Sequence, residues 1–386
     1  MNRRHWLKST VAATTGLAAG PLLLNATPNA TPRSLRHPWR IYEQNLRFTP
    51  QMEKLRARLL ANENPYGPSP AAKQAIVESV GLGNRYGHAD ARKLIEKLAA
   101  LEGVTPDHIL LGPGSTDLLE KVAIGLLHRG GNVVTADPAY MSIVNTARAF
   151  EADWKPVPLT RDHAHDLTGM EKAIDGNTKL VYVCNPNNPT GTLTPANDLR
   201  SFCQRVSKKV PVFVDEAYVE FLEDRAKVSM IDLIQKGEDL IITRTFSKIH
   251  GMAGLRIGYM VAQPERVKAI DEMVRTTMGL CVTSILGAMA SLEDQAFQDK
   301  SRKLTADARQ FTYETLENMG ISYIPSHTSF MMFPLEMDGE KYLEQMYAQG
   351  VGVRLFVVDG KPWSRVSMGT LEEMGIFAEA LKKVLS

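Results

Sequence analysis

The sequence predicts an α/β fold, with a large domain built on a mostly parallel sheet flanked by helices and a smaller α/β C-terminal domain. Short apolar runs of strand length alternate with segments of helical periodicity through the middle of the chain. Polar, turn-forming residues follow several of these runs, at the position where open α/β sheets bind ligands. From about residue 284 the pattern changes to helices and shorter apolar runs, so we place the large domain at 75–283 and the small domain at 284–386.

Length and composition set limits on the class of protein. A chain of 386 residues can form two domains with a sizeable core. A formal net charge of +2 is too small to indicate nucleic-acid binding. The three cysteines, Cys184, Cys203 and Cys281, lack CxxC spacing, and we expect buried thiols with neither a metal site nor a disulfide framework.

The N-terminus differs from the rest of the chain. Arg3-Arg4-His5-Trp6-Leu7-Lys8 matches the twin-arginine export pattern, and a weakly apolar stretch follows at residues 11–24. This stretch is too short and too weakly hydrophobic for a transmembrane helix, and no later run is longer. We therefore expect a twin-arginine signal at residues 1–30, a partnership with that export machinery, and a periplasmic or exported mature protein. A cytoplasmic location is the alternative.

The elements that follow begin with an arm at residues 31–74, which is expected to pack with the small domain. Residues 71–80 form a short helix, and a second helix carries leucines at helical spacing and ends at Gly103. A buried strand at 109–111 then leads through glycines into another helix. This geometry directs free backbone amides at an anion, and Ser115 and Thr116 add hydroxyl donors. Ordinary strand-to-helix connections use the same residues, so the turn alone is a weak signal.

Four further apolar runs each end in polar residues. The runs are 133–136, 180–184, 212–214 and 240–242, and the segments after them contain Tyr140, Asn188, Asp215 with Tyr218, and Lys248. Because the carboxyl ends of parallel strands meet at one edge of a sheet, these side chains should converge.

Lys248 lies in the segment on which the functional interpretation depends. It follows a buried strand, is flanked by Thr245 and Ser247, and precedes Arg256. A partly desolvated lysine loses proton affinity and becomes a nucleophile toward an aldehyde, and the neighbouring hydroxyls and guanidinium suit a phosphate. Taken alone, the segment is equally typical of a surface loop with an incidental lysine.

From about Leu59 to its C-terminus the chain resembles the class I/II aminotransferases, a fold-type I family that uses pyridoxal 5′-phosphate (PLP). The nearest branch is histidinol-phosphate aminotransferase-like. The resemblance implies that Lys248 is the Schiff-base lysine and proton shuttle and that Asp215 keeps the ring nitrogen protonated. It places Tyr140 flat on the ring and Asn188 and Tyr218 at the ring oxygen. The implied phosphate ligands are Ser115, Thr116, Thr245, Ser247 and Arg256.

The same resemblance suggests the substrate contacts and the assembly. Tyr66 would lie at the substrate mouth, Arg365 would bind the anionic group of the substrate, and Arg354 is a second candidate. Tyr86 would reach the cofactor phosphate in a neighbouring subunit, which predicts a homodimer. Two departures from the family pattern are His250, two residues after the lysine, and the segment His327-Thr-Ser329-Phe, where the family commonly has an asparagine.

We therefore predict a PLP-dependent aminotransferase of amino-acid metabolism that acts on an amino acid or related amine. A PLP-dependent carbon–sulfur β-lyase on the same fold is the alternative, since both reactions use the same carbanion chemistry. A PLP-binding sensor fused to a DNA-binding module is disfavoured, because the N-terminus has an export pattern where a helix-turn-helix would be required.

Overall fold

The computed structural model describes residues 54–274 and 277–385. The predicted signal at 1–30 and most of the predicted arm lie outside these ranges. Within them, no helix combines the length and apolar character that a membrane span requires.

The central feature is a seven-stranded sheet with the order β2-β8-β7-β6-β5-β3-β4. Every strand runs parallel to the others except β8, which is antiparallel to both of its neighbours. This confirms the predicted mostly parallel sheet. The strands are β2 (Ile109–Gly112), β3 (Asn132–Asp137), β4 (Asp153–Pro158), β5 (Thr178–Cys184), β6 (Val212–Asp215), β7 (Leu240–Thr245) and β8 (Gly258–Ala262).

Strand β4 was not predicted from the sequence, because its position at the edge of the sheet leaves most of its residues polar or exposed. It is an edge strand, and only Val157 of its six residues is fully buried. Its two prolines lack amide hydrogens, which an edge strand tolerates and a central strand does not. The short, polar, proline-containing segment therefore carries no strand signal in the sequence.

Helices cover both faces of the sheet. On one face of the sheet, residues such as Val181 and Val214 pack with five of the helices, and on the other face Tyr182 and Phe213 pack with three others. Burial on both faces explains why these strands read as continuous apolar runs. In chain order the helices are α1 (Pro70–Ser79), α2 (His88–Glu102), α3 (Ser115–Leu127), α4 (Ser142–Ala149), α5 (Leu167–Ala173), α6 (Ala196–Val206), α7 (Arg225–Val228), α8 (Ile231–Gln235), α9 (Pro264–Val274), α10 (Val282–Glu293), α11 (Gln295–Asn318), α12 (Gly339–Ala348) and α13 (Leu371–Leu385).

The C-terminal part contains a three-stranded antiparallel sheet with the order β11-β12-β9. Its strands are β9 (Phe330–Pro334), β11 (Arg354–Val358) and β12 (Lys361–Ser367). Just before β11, the short strand β10 (Val351–Gly352) pairs with β1 (Ala57–Arg58) in a separate two-stranded sheet. Strand β12 was not predicted, because a lysine, a proline, two serines and an arginine leave it without an apolar pattern.

Two details correct or refine the sequence predictions. Cys184 and Cys203 are buried as expected, but Cys281 is exposed because it lies just before the first turn of α10. Helix α1 passes through the boundary placed between residues 74 and 75, and α10 passes through the one placed between 283 and 284.

Candidate active site

Lys248 follows β7 at the edge of the sheet where the parallel strands end. Its Nζ donates a hydrogen bond to the backbone oxygen of Asn62, 2.7 Å away, and lies 5.4 Å from the centre of the Tyr218 ring. Burial, with the nearby Arg365 guanidinium, lowers the pKa of Lys248 to about 8. A substantial fraction of this amine is therefore neutral and nucleophilic near physiological pH.

Asp215 ends the neighbouring strand β6 and is fully buried. Its carboxylate accepts hydrogen bonds from the Thr243 hydroxyl at 3.1 Å, the Ala217 amide at 3.2 Å and the Tyr182 hydroxyl at 3.3 Å. Burial raises the pKa of Asp215 to about 6. This carboxylate lacks a cationic partner at hydrogen-bond distance within the described residues, so a protonated ring nitrogen placed beside it would be stabilised. The sequence predicted Asp215 but not its supports Tyr182 and Thr243.

Asn62 connects the parts of the site, and sequence reasoning did not assign it a role. Besides accepting from Lys248, it donates from Nδ2 to the Tyr218 hydroxyl oxygen at 2.8 Å. Its Oδ1 accepts from the Ser367 hydroxyl at 2.7 Å. The backbone carbonyl of Asn62 thus binds the lysine, and its buried side-chain amide links the tyrosine to the end of β12. From this part of the chain, the family resemblance assigns a role only to Tyr66.

The first turn of α3 presents backbone amides beside the Arg256 guanidinium. Gly114 precedes it with a φ of 86°, and no side chain caps the helix. The Arg256 guanidinium donates to the Pro113 carbonyl at 2.9 Å, and a Cβ on Gly114 would lie 2.5 Å from Arg256 Nη2. The guanidinium therefore lies beside uncapped helix amides, an arrangement that favours a phosphate.

The strands β7 and β8 bring the other predicted phosphate ligands to the same place. Gly258 is opposite Thr245, and a Cβ on it would lie 2.9 Å from the Ser115 amide nitrogen. Ser247, two residues after Thr245, donates its backbone N–H to the Thr245 hydroxyl oxygen at 3.1 Å. On the other side, the Thr116 and Tyr140 hydroxyls are 3.1 Å apart. These contacts link the phosphate region to the residue expected at the ring.

The two predicted substrate arginines face each other across β11 and β12. Arg354 and Arg365 are directly opposite in register, and the Arg365 guanidinium lies 5.2 Å from the rings of both Phe330 and Phe356. It donates to Asn188 Oδ1 at 2.8 Å, yet within the described chain neither arginine pairs with an acidic side chain. Burial and the charge of Arg354 lower the pKa of Arg365 to about 9. Two guanidinium cations held opposite each other repel, and an anion bound between them would remove this repulsion. The pair is therefore a candidate position for an anionic group.

The remaining predicted residues fall outside this cluster or have structural surroundings. Tyr66 is half-buried and lines a groove of about 260 Å³. Tyr86 is 79% exposed, with its ring beside His88, and does not reach the site of its own chain.

His250 is buried with Nδ1 2.8 Å from the Ser291 hydroxyl, and burial lowers its pKa to about 3, so it stays neutral and supports packing. His327 is exposed and donates its amide to Gly191 at 2.8 Å.

The donor set fits PLP. A phosphate matches the α3 terminus with Arg256, a protonated ring nitrogen matches the buried Asp215, and an aldehyde matches Lys248. Tyr218 and Asn188 supply polar groups for the ring oxygen, and both are buried.

Comparison with known proteins gives consistent matches over most of the chain. The model of the aminotransferase class I and II family matches residues 57–381. The chain is 34% identical over 331 residues to histidinol-phosphate aminotransferase of Moorella thermoacetica, covering 85% of both chains. It is 36% identical over 332 residues to histidinol-phosphate aminotransferase 2 of Carboxydothermus hydrogenoformans, covering 85% of this chain and 91% of that one.

A solved structure extends the comparison. Histidinol-phosphate aminotransferase of Sinorhizobium meliloti, in complex with pyridoxal 5′-phosphate, superposes with a TM-score of 0.83 at 28% identity. The match covers 94% of this chain and 98% of that chain.

Proposed function

Since the chain belongs to the class I and II aminotransferase family and is a PLP-dependent transaminase, we propose that its donor is an amino acid or related amine carrying an anionic group. The observation that carries this proposal is the opposed pair Arg354 and Arg365, which has no acidic partner within the described residues. Both carboxylates and phosphates suit a guanidinium. Histidinol phosphate, named for the relatives, is one such donor, and a simple amino acid is another.

When bound, PLP supplies an electron-withdrawing ring that stabilises negative charge at the reacting carbon of the substrate. The residues of the chain provide position and proton transfer. Lys248, with a pKa of about 8, can take up and release a proton near neutral pH. Asp215 would stabilise a proton on the ring nitrogen, and the Tyr218 hydroxyl and Asn188 would bind the ring oxygen. Arg365 would bind the anionic group of the substrate and so limit its orientation in the site.

A panel of donors tests the substrate proposal. Histidinol phosphate, aromatic and acidic amino acids, and matched amines without an anionic group would be supplied with a keto-acid acceptor, and cofactor absorbance would be followed. We expect turnover only with anionic donors. Equal turnover of the uncharged amines would contradict the proposal. β-Substituted cysteines that release pyruvate without an acceptor would favour the β-lyase alternative.

We also propose that the protein is a homodimer in which Tyr86 completes the phosphate site of the partner. Tyr86 is exposed, and Val77, Val80 and Leu82 form an exposed apolar surface immediately before it. A second copy of the chain would cover this surface and receive the tyrosine. Light scattering tests the proposal, and an active monomer at assay concentration would contradict it.

Finally, we propose that the mature protein is periplasmic and exported after folding. The twin-arginine pattern at Arg3 and Arg4 supports this location. The cofactor ligands come from segments spread between Ser115 and Arg256, so PLP can be held only by a finished fold. An export route for folded proteins is compatible with that requirement.

A further inference from the structure

A buried ion network lies next to the site without belonging to it. Its centre is Arg244 of β7, which is 3% exposed. Arg244 Nη1 donates to Glu102 Oε1 at 2.6 Å, while Nε and Nη2 donate to Glu216 Oε2 at 3.2 and 3.0 Å. Both carboxylates are buried as well.

Neighbouring residues give the network further hydrogen bonds. The Tyr259 hydroxyl donates to Glu102 Oε1 at 2.6 Å. The Ser229 hydroxyl donates to Glu216 Oε2 at 2.9 Å, and the Met230 amide donates to Glu216 Oε1 at 2.8 Å. The network therefore connects the end of α2, the end of β6, strands β7 and β8, and the segment that leads into α8.

The network lies where the catalytic residues are positioned. Glu216 directly follows Asp215, and Lys248 comes four positions after Arg244. Thr243 binds Asp215, and the next residue, Arg244, binds Glu216. Because successive residues of a strand point to opposite faces, these two contacts hold the carboxyl ends of β6 and β7 from both sides of the sheet.

We propose that Arg244 is a positioning residue that sets the separation between the Asp215 carboxylate and the Lys248 amine by binding Glu216 and Glu102. The proposal rests on the transaminase function and on the roles given above to Asp215 and Lys248. Arg244 contacts neither of them, so it acts through the two strands and not on the reacting atoms. A buried ion pair is often no more stabilising than apolar side chains of the same volume. Stability alone therefore gives little reason for three buried charges here, whereas fixing two strand ends does.

The test separates positioning from stability by using a charge-balanced pair of substitutions. Arg244→Met alone leaves two buried carboxylates unpaired and should lower the melting temperature strongly. The double variant Arg244→Met/Glu216→Gln removes one charge of each sign and should recover much of that loss. Arg266→Met is the control, because Arg266 pairs with Asp239 in the same domain, just before the amino end of β7 and so at the opposite end of that strand from Lys248.

Four experiments would be made on each variant. They are the melting temperature, the steady-state kinetics (kcat and KM) with one anionic donor, the pH titration of the absorbance of PLP bound to Lys248, and the pH dependence of Lys248 modification in the apo-protein. We expect the double variant to keep kcat roughly 10–100-fold below wild type with a smaller change in KM, because small misplacements of reacting groups cost rates of this order. Both titrations should shift. Arg244→Lys should recover only part of the kcat lost in Arg244→Met. Lysine restores the positive charge, but an ammonium cannot reproduce the forked contacts of a guanidinium.

The proposal fails if the double variant regains the melting temperature and kcat together, or if its two titrations match those of wild type. Arg266→Met should lower the melting temperature and leave kcat and both titrations unchanged, and a loss of kcat in this control would also overturn the proposal. Failure of the transaminase assignment itself would be seen separately, as absence of turnover by the wild-type protein.

Discussion

The Asn62 amide donates to the Tyr218 hydroxyl oxygen at 2.8 Å, joining two residues that are 156 positions apart in the chain. The same side chain accepts from Ser367, so it places the tyrosine relative to β12, which also carries Arg365. One buried asparagine thus links a tyrosine of the cofactor site to the strand that carries the substrate arginine.

Asn62→Ala should lower kcat/KM by about 10–100-fold, because it leaves the Tyr218 and Ser367 hydroxyls buried without their partner, at about 1–3 kcal/mol each. Steady-state kinetics would measure this loss. Ser367→Ala is the matched control, since it removes one of these contacts and leaves the Tyr218 contact in place. An equal loss in both variants would show that the bond to Tyr218 is unimportant.

Lys248 should be the residue that binds PLP covalently, because its amine is partly neutral near pH 8 and lies beside the phosphate ligands. Borohydride reduction followed by peptide mapping should find the pyridoxyl group on Lys248. Lys248→Ala should lose that label and nearly all activity. A label on any other lysine of the wild-type protein would refute the assignment.

Asp215→Asn should retain PLP but react far more slowly, because a neutral amide cannot hold the proton of the ring nitrogen. We expect kcat to fall at least about 100-fold, a change of roughly 3 kcal/mol in activation free energy. Cofactor absorbance would report binding and stopped-flow kinetics would report the rate. Wild-type turnover in this variant would exclude the role.

Asp215 should also make the stability of the apo-protein depend on pH. Its pKa rises from 3.8 to about 6 on folding, so the folded protein binds this proton more tightly than the unfolded chain. The resulting stabilisation is present below pH 4 and is lost as the pH rises through 6, an effect of about 3 kcal/mol. As the pH rises from 4 to 8, the free energy of unfolding of the apo wild-type protein should therefore fall relative to that of apo Asp215→Asn, which lacks this titrating group. Parallel melting curves for the two proteins at all pH values would contradict this expectation.

Arg365→Met should reduce kcat/KM for anionic donors by on the order of 100-fold, because the substrate anion loses a charged hydrogen-bonding partner. A matched amine without the anionic group is the control, and its kcat/KM should change far less. Arg354→Met should have a smaller effect, since Arg354 is less buried. Equal losses for charged and uncharged donors would show that Arg365 acts on the fold and not on the substrate.

Replacing Arg3 and Arg4 with lysines should leave the full-length protein in the cytoplasm with its transaminase activity intact. The unaltered protein should be found in the periplasm without roughly its first 25–30 residues, the usual length of a signal. Cell fractionation and N-terminal sequencing would test both statements. An intact N-terminus on a cytoplasmic wild-type protein would contradict the export proposal and leave the enzyme function unaffected.

The sequence by itself determined most of the central sheet, without its edge strand β4, and indicated the polar residues near the ends of its strands. Asp215, Asn188 and Lys248 each lie within a few residues of a run that is apolar because both faces of the strand are buried, and the apolar run and the turn are both local signals. The parallel topology then brings these residues together, since parallel strands have their carboxyl ends at the same edge of the sheet.

Only the tertiary structure decided which distant side chains support these residues. Asn62 reaches Lys248 across 186 positions, Tyr182 lies against Asp215, and Arg354 faces Arg365 through a hairpin whose second strand is too polar to be recognised. Arg244 in its strand gave no indication of the two carboxylates that it binds. The sequence pattern around a polar residue does not reveal which side chain it will contact, because that contact depends on how segments far apart in the chain pack together.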